Sequence, residues 1–100
     1  MPHVILSPKA VRDFERLRRF LHAKSPEAAA RAAMAIRAAL QRLARHPLAQ
    51  PPNPENPAFR TLQVPFGASG YSVWYHYLPG GDITVVALKH QRESGFDNDE

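Results

Sequence analysis

The sequence predicts an α+β domain of order βααβββ, a helical hairpin packed on one face of a small, mainly antiparallel sheet. Three observations predict it. The pairs Ser7-Pro8 and Ser25-Pro26 each open a stretch whose apolar residues recur every three or four positions. A proline-dense stretch over 47–58 then interrupts periodic structure. From Phe59 the hydrophobic period falls to two, and Gly-rich turns separate the strand-like runs.

His3 to Ser7 is the first strand, short and apolar. It runs into Ser7-Pro8, where serine caps a helix and proline suits its first turn. In that helix Val11, Phe14, Leu17 and Leu21 line an apolar face, while Lys9, Arg12, Arg16 and Arg19 line a basic one. Ser25-Pro26-Glu27 starts the second helix, with glutamate favourably placed at the positive end of the helix dipole. Its seam, Ala29, Ala33, Ile36, Leu40 and Leu43, suits an antiparallel hairpin with the first helix. His46-Pro47 ends it, because a residue before proline is pushed out of the helical region.

Pro47, Pro51, Pro52, Pro54 and Pro57, with Asn53 and Asn56, make a stiff connecting loop. Beyond it Arg60, Leu62 and Val64 share one face of a strand, opposite Phe59, Thr61 and Gln63. Residues 66–70 read as a turn. Tyr71 to Leu78 reads as a central strand, with Tyr71, Val73, Tyr75 and Tyr77 on one side and Ser72, Trp74, His76 and Leu78 on the other. Pro79-Gly80-Gly81-Asp82 turns the chain into a near-continuous apolar strand, Ile83 to Leu88, which closes an antiparallel meander. The last residues, Asn98-Asp99-Glu100, are expected to be frayed.

At 100 residues and 44% hydrophobic content, residues 1–100 are expected to form one domain with one modest core. The chain has no cysteine, which excludes disulfides, thiolate metal sites and cysteine nucleophiles. No basic leader and no membrane-length apolar run are present, so the expectation is a cytoplasmic protein with no membrane partner. The net charge of +4 conceals a division: residues 1–50 hold ten Lys/Arg against three Asp/Glu, and residues 51–100 hold three against six. A half with that excess is drawn to acidic surfaces, whether nucleic acid or an acidic protein segment.

The five histidines, His3, His22, His46, His76 and His90, include no His-x-x-x-His pair, so no metal is assigned. Gly80-Gly81 joins two strands rather than a strand and a helix, so no nucleotide cofactor is assigned either. A helix-turn-helix reading of residues 8–46 meets a joint, Lys24-Ser25, without the usual glycine. A basic nucleic-acid-binding module therefore stands as the second alternative to the reading that follows.

Leu6-Ser7-Pro8-Lys9-Ala10, the His46-Pro47 helix end, Phe59-Arg60-x-Leu62, Val64-Pro65-Phe66-Gly67 with Gly70-Tyr71, and Lys89-His90-Gln91-Arg92-Glu93-Ser94-Gly95-Phe96 together resemble the RelE/ParE superfamily of toxins from type II toxin–antitoxin systems. The resemblance spans nearly the whole chain. It is closest to the ParE-like, plasmid-stabilisation branch, whose closing segment usually begins with arginine where this chain has Lys89. It implies a bacterial toxin that arrests growth and forms a hetero-oligomer with a cognate antitoxin. The antitoxin's disordered acidic tail would cover the helical hairpin and a sheet edge or face, with Arg12, Arg16 and Arg19 as its binding residues.

The superfamily also implies two targets. ParE-like members inhibit DNA gyrase without covalent chemistry, whereas RelE-like members are endoribonucleases that cut messenger RNA on the ribosome. RNA cleavage needs a base, an acid and cations for the charge on phosphorus. Here Arg60, His90 and Arg92 are the candidates: a phosphate clamp on the first meander strand and an acid or base at the end of the last. The alternative role of Arg60 is to hold carbonyls or a carboxylate at the sheet edge, and that of His90 is to bond backbone where its strand ends. Residues 47–59 contain no Lys or Arg, so the lysine cluster of the RNA-cutting branch has no counterpart. That, with the long second helix, favours the non-catalytic gyrase inhibitor, in which the same three residues would contact the target.

Overall fold

A computed structural model of the chain describes residues 2–67 and 69–90. The order is β1 (Val4–Leu6), α1 (Pro8–Lys24), α2 (Pro26–Arg45), β2 (Arg60–Phe66), β3 (Ser69–Tyr77) and β4 (Ile83–His90). Both helices begin at the serines that the sequence marks: Ser7 Oγ accepts from the Ala10 amide at 3.0 Å and Ser25 Oγ from the Ala28 amide at 3.1 Å. Ser25 ends α1 and caps α2, so the hairpin turns on a single residue. His46 ends α2, its amide reaching the carbonyls of Arg42 and Leu43.

The four strands lie in the order β1-β4-β3-β2. The meander is antiparallel, and β1 joins it at the β4 edge in parallel, Val4 opposite Ile83 and Leu6 opposite Val85. Both helices lie on one face. Ala10 from α1, Ala32, Ile36, Ala39 and Leu43 from α2, and Leu62, Val64, Tyr71, Val73, Tyr75, Ile83, Val85 and Leu88 from the sheet form one buried cluster.

Phe14, Leu17, Leu21, Ala29, Ile36, Leu40 and Leu43 face inward as the sequence predicts, and the stripes differ at two positions, Val11 and Ala33. Val11 is 44% exposed and Ala10 is fully buried, while Ala32 and Ala39 carry the α2 seam and Ala33 is exposed. Alanine lets the α1 and α2 backbones approach their neighbours closely, so the contact line follows the small residues rather than the larger ones beside them. The meander strands run further than read, while β1 is shorter, Val4–Leu6 against the expected His3 to Ser7. β2 runs through Phe66 and β3 starts at Ser69, so the predicted 66–70 turn narrows to the two residues between them. Gly67 supplies the positive φ, 62°, that such a turn needs.

β4 contains a bulge. Trp74 pairs with Ala87 and Tyr75 with Val85, which leaves Val86 without an opposite number. The extra residue shifts the alternation by one, so Ile83, Val85 and Leu88 all face the helices although their spacings are two and three. That explains why the run Ile83–Leu88 reads as apolar without a clear period.

The loop over 47–59 is pinned to β2. The Asn53 amide donates to Phe59 O at 2.7 Å, and the Thr61 amide to Pro51 O at 3.2 Å. Asn53, 4% exposed, donates through Nδ2 to Thr61 Oγ1, while its Oδ1 accepts from the amides of Glu55 and Asn56. The prolines thus shield the start of an edge strand that would otherwise invite pairing. Among the described residues no helix is long and apolar enough to cross a membrane, and none form a metal-binding cluster. The expected frayed end at residues 98–100 lies outside the described residues.

Candidate functional site

Three surfaces bear on function: the basic face of α1, a groove between the helices and β1, and the two ends of the meander. On α1, Arg12, Arg16 and Arg19 are exposed and, at spacings of four and three, share one face. They line a concavity of about 610 Å³ together with Val11. Arg18 is engaged by Glu15 at 2.8 Å, which lowers the Glu15 pKa from its ordinary value. Among the described residues, neither Arg12 nor Arg19 has a carboxylate within ion-pair distance.

Asp13 is the residue that the sequence reading missed. It lies among the arginines but on the buried side, 7% exposed, three positions from Ala10 and four from Leu17. Its Oδ2 accepts from Lys9 Nζ at 3.0 Å and from the Leu88 amide at 3.0 Å, and Arg16 Nη2 lies 4.0 Å from Oδ1. The need for it follows from topology. β1 covers only Ile83–Val85, with Ser7 extending the coverage by one bond to the Val85 carbonyl, so among the described residues the β4 edge has no strand partner further on. Asp13 takes over there, and a charge-assisted bond to a buried amide contributes about 1.5–3 kcal/mol. The sequence signal was a carboxylate on the apolar stripe of a basic helix.

Beside α1, a groove of about 470 Å³ is lined by Val4, Leu6, Phe14, Ala33, Leu40 and Arg37. It lies next to the β1 edge of the sheet, and its apolar lining includes Leu6, which is 36% exposed.

The meander places Arg60 and His90 at different ends. Arg60 lies opposite Tyr75 and His90 opposite Tyr71, four residues apart along β3, or about 13 Å at strand rise. Between them runs the row Leu62, Val73 and Leu88, none more than 6% exposed. Arg60 donates through Nη1 to Gln50 O, and Tyr75 Oη donates to Pro47 O at 2.8 Å, so this end holds the loop. At the other end Tyr71 stacks on Phe66 at 5.8 Å and meets His90 edge-on at 5.3 Å between ring centroids. Arg92 lies outside the described residues.

The opposite sheet face is not covered by either helix. Trp74 sits at its middle, half-buried, with Lys89 Nζ 4.2 Å from its ring centre and Phe59 tilted against it at 6.5 Å. His76 is a half-buried neighbour on this face, opposite Thr84.

A family model described as the ParE toxin of the type II toxin–antitoxin system parDE matches residues 4–95. The chain belongs to the ParE toxin family. It is 36% identical over 93 residues to "Toxin RelE3" of Caulobacter vibrioides, covering 93% of this chain and 98% of that protein. Over 90 residues it is also 36% identical to "Toxin RelE1" of the same organism, covering 90% and 94%. A solved structure titled "Chromosomal ParDE TA system from P. aeruginosa" shares the fold, with a TM-score of 0.69 at 21% identity over 90% of this chain and 96% of that one. The two helices on a mainly antiparallel sheet are thus the ParE-family fold, and the chain is a toxin of the RelE/ParE superfamily.

Proposed function

We propose that this ParE-family chain is neutralised by a cognate antitoxin and, when free, arrests growth by binding a macromolecular target, DNA gyrase, without covalent chemistry. The single observation that carries the non-catalytic reading is the buried row Leu62–Val73–Leu88 between Arg60 and His90. A phosphate clamp and a proton-transfer group act on one phosphodiester only from within hydrogen-bond reach of it. Arg60 is moreover engaged with Gln50 O and holds the loop. In the test, purified chain is added to a gyrase supercoiling reaction. Cleaved plasmid that increases with toxin supports the reading; an unchanged topoisomer ladder refutes the gyrase target.

The antitoxin reading rests on juxtaposition. The arginines of α1 stand beside the apolar groove at Val4, Leu6 and Phe14, a combination suited to a segment carrying both carboxylates and apolar side chains that folds as it binds. Co-expression with the adjacent reading frame should give a stable hetero-oligomer and restore growth. Two purified chains that fail to associate would count against it.

The ribonuclease reading draws support from the two relatives named RelE. It requires new 5′ ends on translated messages in primer extension, suppressed by Arg60→Ala with His90→Ala. Cleavage that persists in the double variant removes those two residues from catalysis.

A further inference from the structure

We propose that the outer face of α2 binds the phosphate backbone of duplex DNA through Arg31, Arg42 and Arg45. Helix α2 carries no carboxylate beyond Glu27 in its first turn. Arg42 follows Arg31 by 11 residues and Arg45 follows Arg42 by three, which places all three within about 60° of one another around the helix. They are exposed, and among the described residues none has a carboxylate within ion-pair distance. Glu27, one turn before Arg31, instead accepts from Ser25 Oγ at 3.3 Å.

The surroundings of the arginines favour phosphates over side-chain carboxylates. Between Arg31 and Arg42 the stripe presents Met34, 71% exposed, and Ala38. None of the three arginines lines the groove beside β1 or the concavity on α1; the other arginine of α2, Arg37, lines the groove. An acidic peptide that folds as it binds needs recessed apolar sites to offset the cost of ordering it. A duplex needs only cations held within reach, because its condensed counterions are released as they bind. Arg31 and Arg45 are about 21 Å apart along the helix axis, a length over which a duplex carries about twelve charges. The B-form major groove, about 12 Å wide, admits a helix of α2's diameter, so its arginines reach the phosphates at the groove's edge; the deep, narrow major groove of A-form RNA does not. Bidentate guanidinium contacts then fix the helix against the backbone. DNA held there leaves the α1 arginines and the groove open, so this contact is separate from the antitoxin surface.

The test measures affinity of the full chain for a random-sequence DNA duplex of about 20 base pairs as salt is varied. Three phosphate contacts give a slope of log K on log salt of about −2.7, or about 40-fold weaker binding at 200 mM than at 50 mM. Arg31→Gln, Arg42→Gln and Arg45→Gln together should flatten that slope to near zero. The matched set Arg12→Gln, Arg16→Gln and Arg19→Gln should leave it unchanged. Equal flattening by both sets would mean general attraction to a chain of net charge +4 and overturns the proposal, as does a parent that does not bind. On the parent alone, amide shifts induced by the duplex should centre on Arg31, Ala38, Arg42 and Arg45. Shifts centred on α1 or on the Trp74 face overturn the proposal, and this measurement decides if a triple variant does not fold. Equally tight binding of an RNA duplex of the same sequence, or of polyglutamate of equal charge, overturns duplex DNA as the occupant.

Discussion

At the Tyr75 end of β3, polar groups are committed to holding the chain together; at the Tyr71 end, aromatic rings meet the last residue of β4. Tyr75 and Arg60 reach two carbonyls of the proline-rich loop, Pro47 O and Gln50 O, and so fasten β2 to the end of α2. Tyr71, Phe66 and His90 form a ring cluster beside the tight β2–β3 turn. Both ends pair a tyrosine of β3 with a nitrogen-bearing side chain from a neighbouring strand, Arg60 at one and His90 at the other, and only the contacts show that Arg60 is a brace. A residue type suited to catalysis is therefore weak evidence until its donors are located.

The largest effect expected at the Tyr71 end comes from Gly70, the β3 residue paired with Pro65 beside the turn. A Cβ on Gly70 would lie 2.5 Å from Val64 O, a backbone atom that cannot move aside cheaply. Gly70→Ala should destabilise the fold by about 3 kcal/mol in urea denaturation. Gly81→Ala is the control, since its nearest new contact is 3.4 Å, and it should be neutral or slightly stabilising. Equal midpoints for the two variants would show that the close approach of β2 and β3 at Gly70 is not the constraint described.

Asp13→Ala comes next, at about 2–3 kcal/mol, because it leaves the Leu88 amide buried and unpaired. Asp13→Asn retains an acceptor and should lose less. Hydrogen exchange at Leu88 is the specific readout; unaltered protection there in Asp13→Ala would remove the edge-capping role.

At the Tyr75 end, Tyr75→Phe should cost about 1 kcal/mol, the net worth of one hydrogen bond. The pH dependence sharpens the same point. Burial raises the Tyr75 pKa above the ordinary 10.0, the nearby Arg60 guanidinium opposing it, and burial raises Tyr71 likewise. A phenol whose pKa is higher folded than unfolded contributes stability that is complete below pH 10 and lost as the pH rises through its folded value. Denaturation midpoints should therefore fall above pH 10, and less steeply in Tyr75→Phe. A wild-type midpoint flat to pH 11 would contradict this.

The smallest expected change in stability is at the helix surface. Arg12→Ala with Arg19→Ala should stay within about 0.5 kcal/mol of the parent. The same pair should weaken binding of an acidic antitoxin-tail peptide at low salt and lose that difference at high salt. A large loss of stability instead would mean that these arginines brace the fold, as Arg60 does.

Much of the fold was legible because its signals are local. Ser7-Pro8, Ser25-Pro26 and His46-Pro47 act through capping and steric clash within a few residues, and both helix starts and the second helix end fall where those pairs place them. The strand face of Leu62 and Val64, and that of Tyr71, Val73 and Tyr75, follow from the pleat alone. Of the candidate site, the Arg12, Arg16 and Arg19 face was readable for the same reason: helical spacing brings them together.

Other features required residues distant in sequence. Whether Ala10 or Val11 faces inward depends on how closely α1 approaches the sheet, and the bulge at Val86 depends on register against β3. Asp13 is drawn to the sheet by the amide of Leu88, 75 positions away, which has no strand partner among the described residues. The distance between Arg60 and His90 is likewise set by how β2, β3 and β4 align. Local preferences determined which segments became helix or strand and which residues share a face. Tertiary packing alone decided which groups meet, because burial and hydrogen bonding between strands depend on register, and a single inserted residue reassigns everything beyond it.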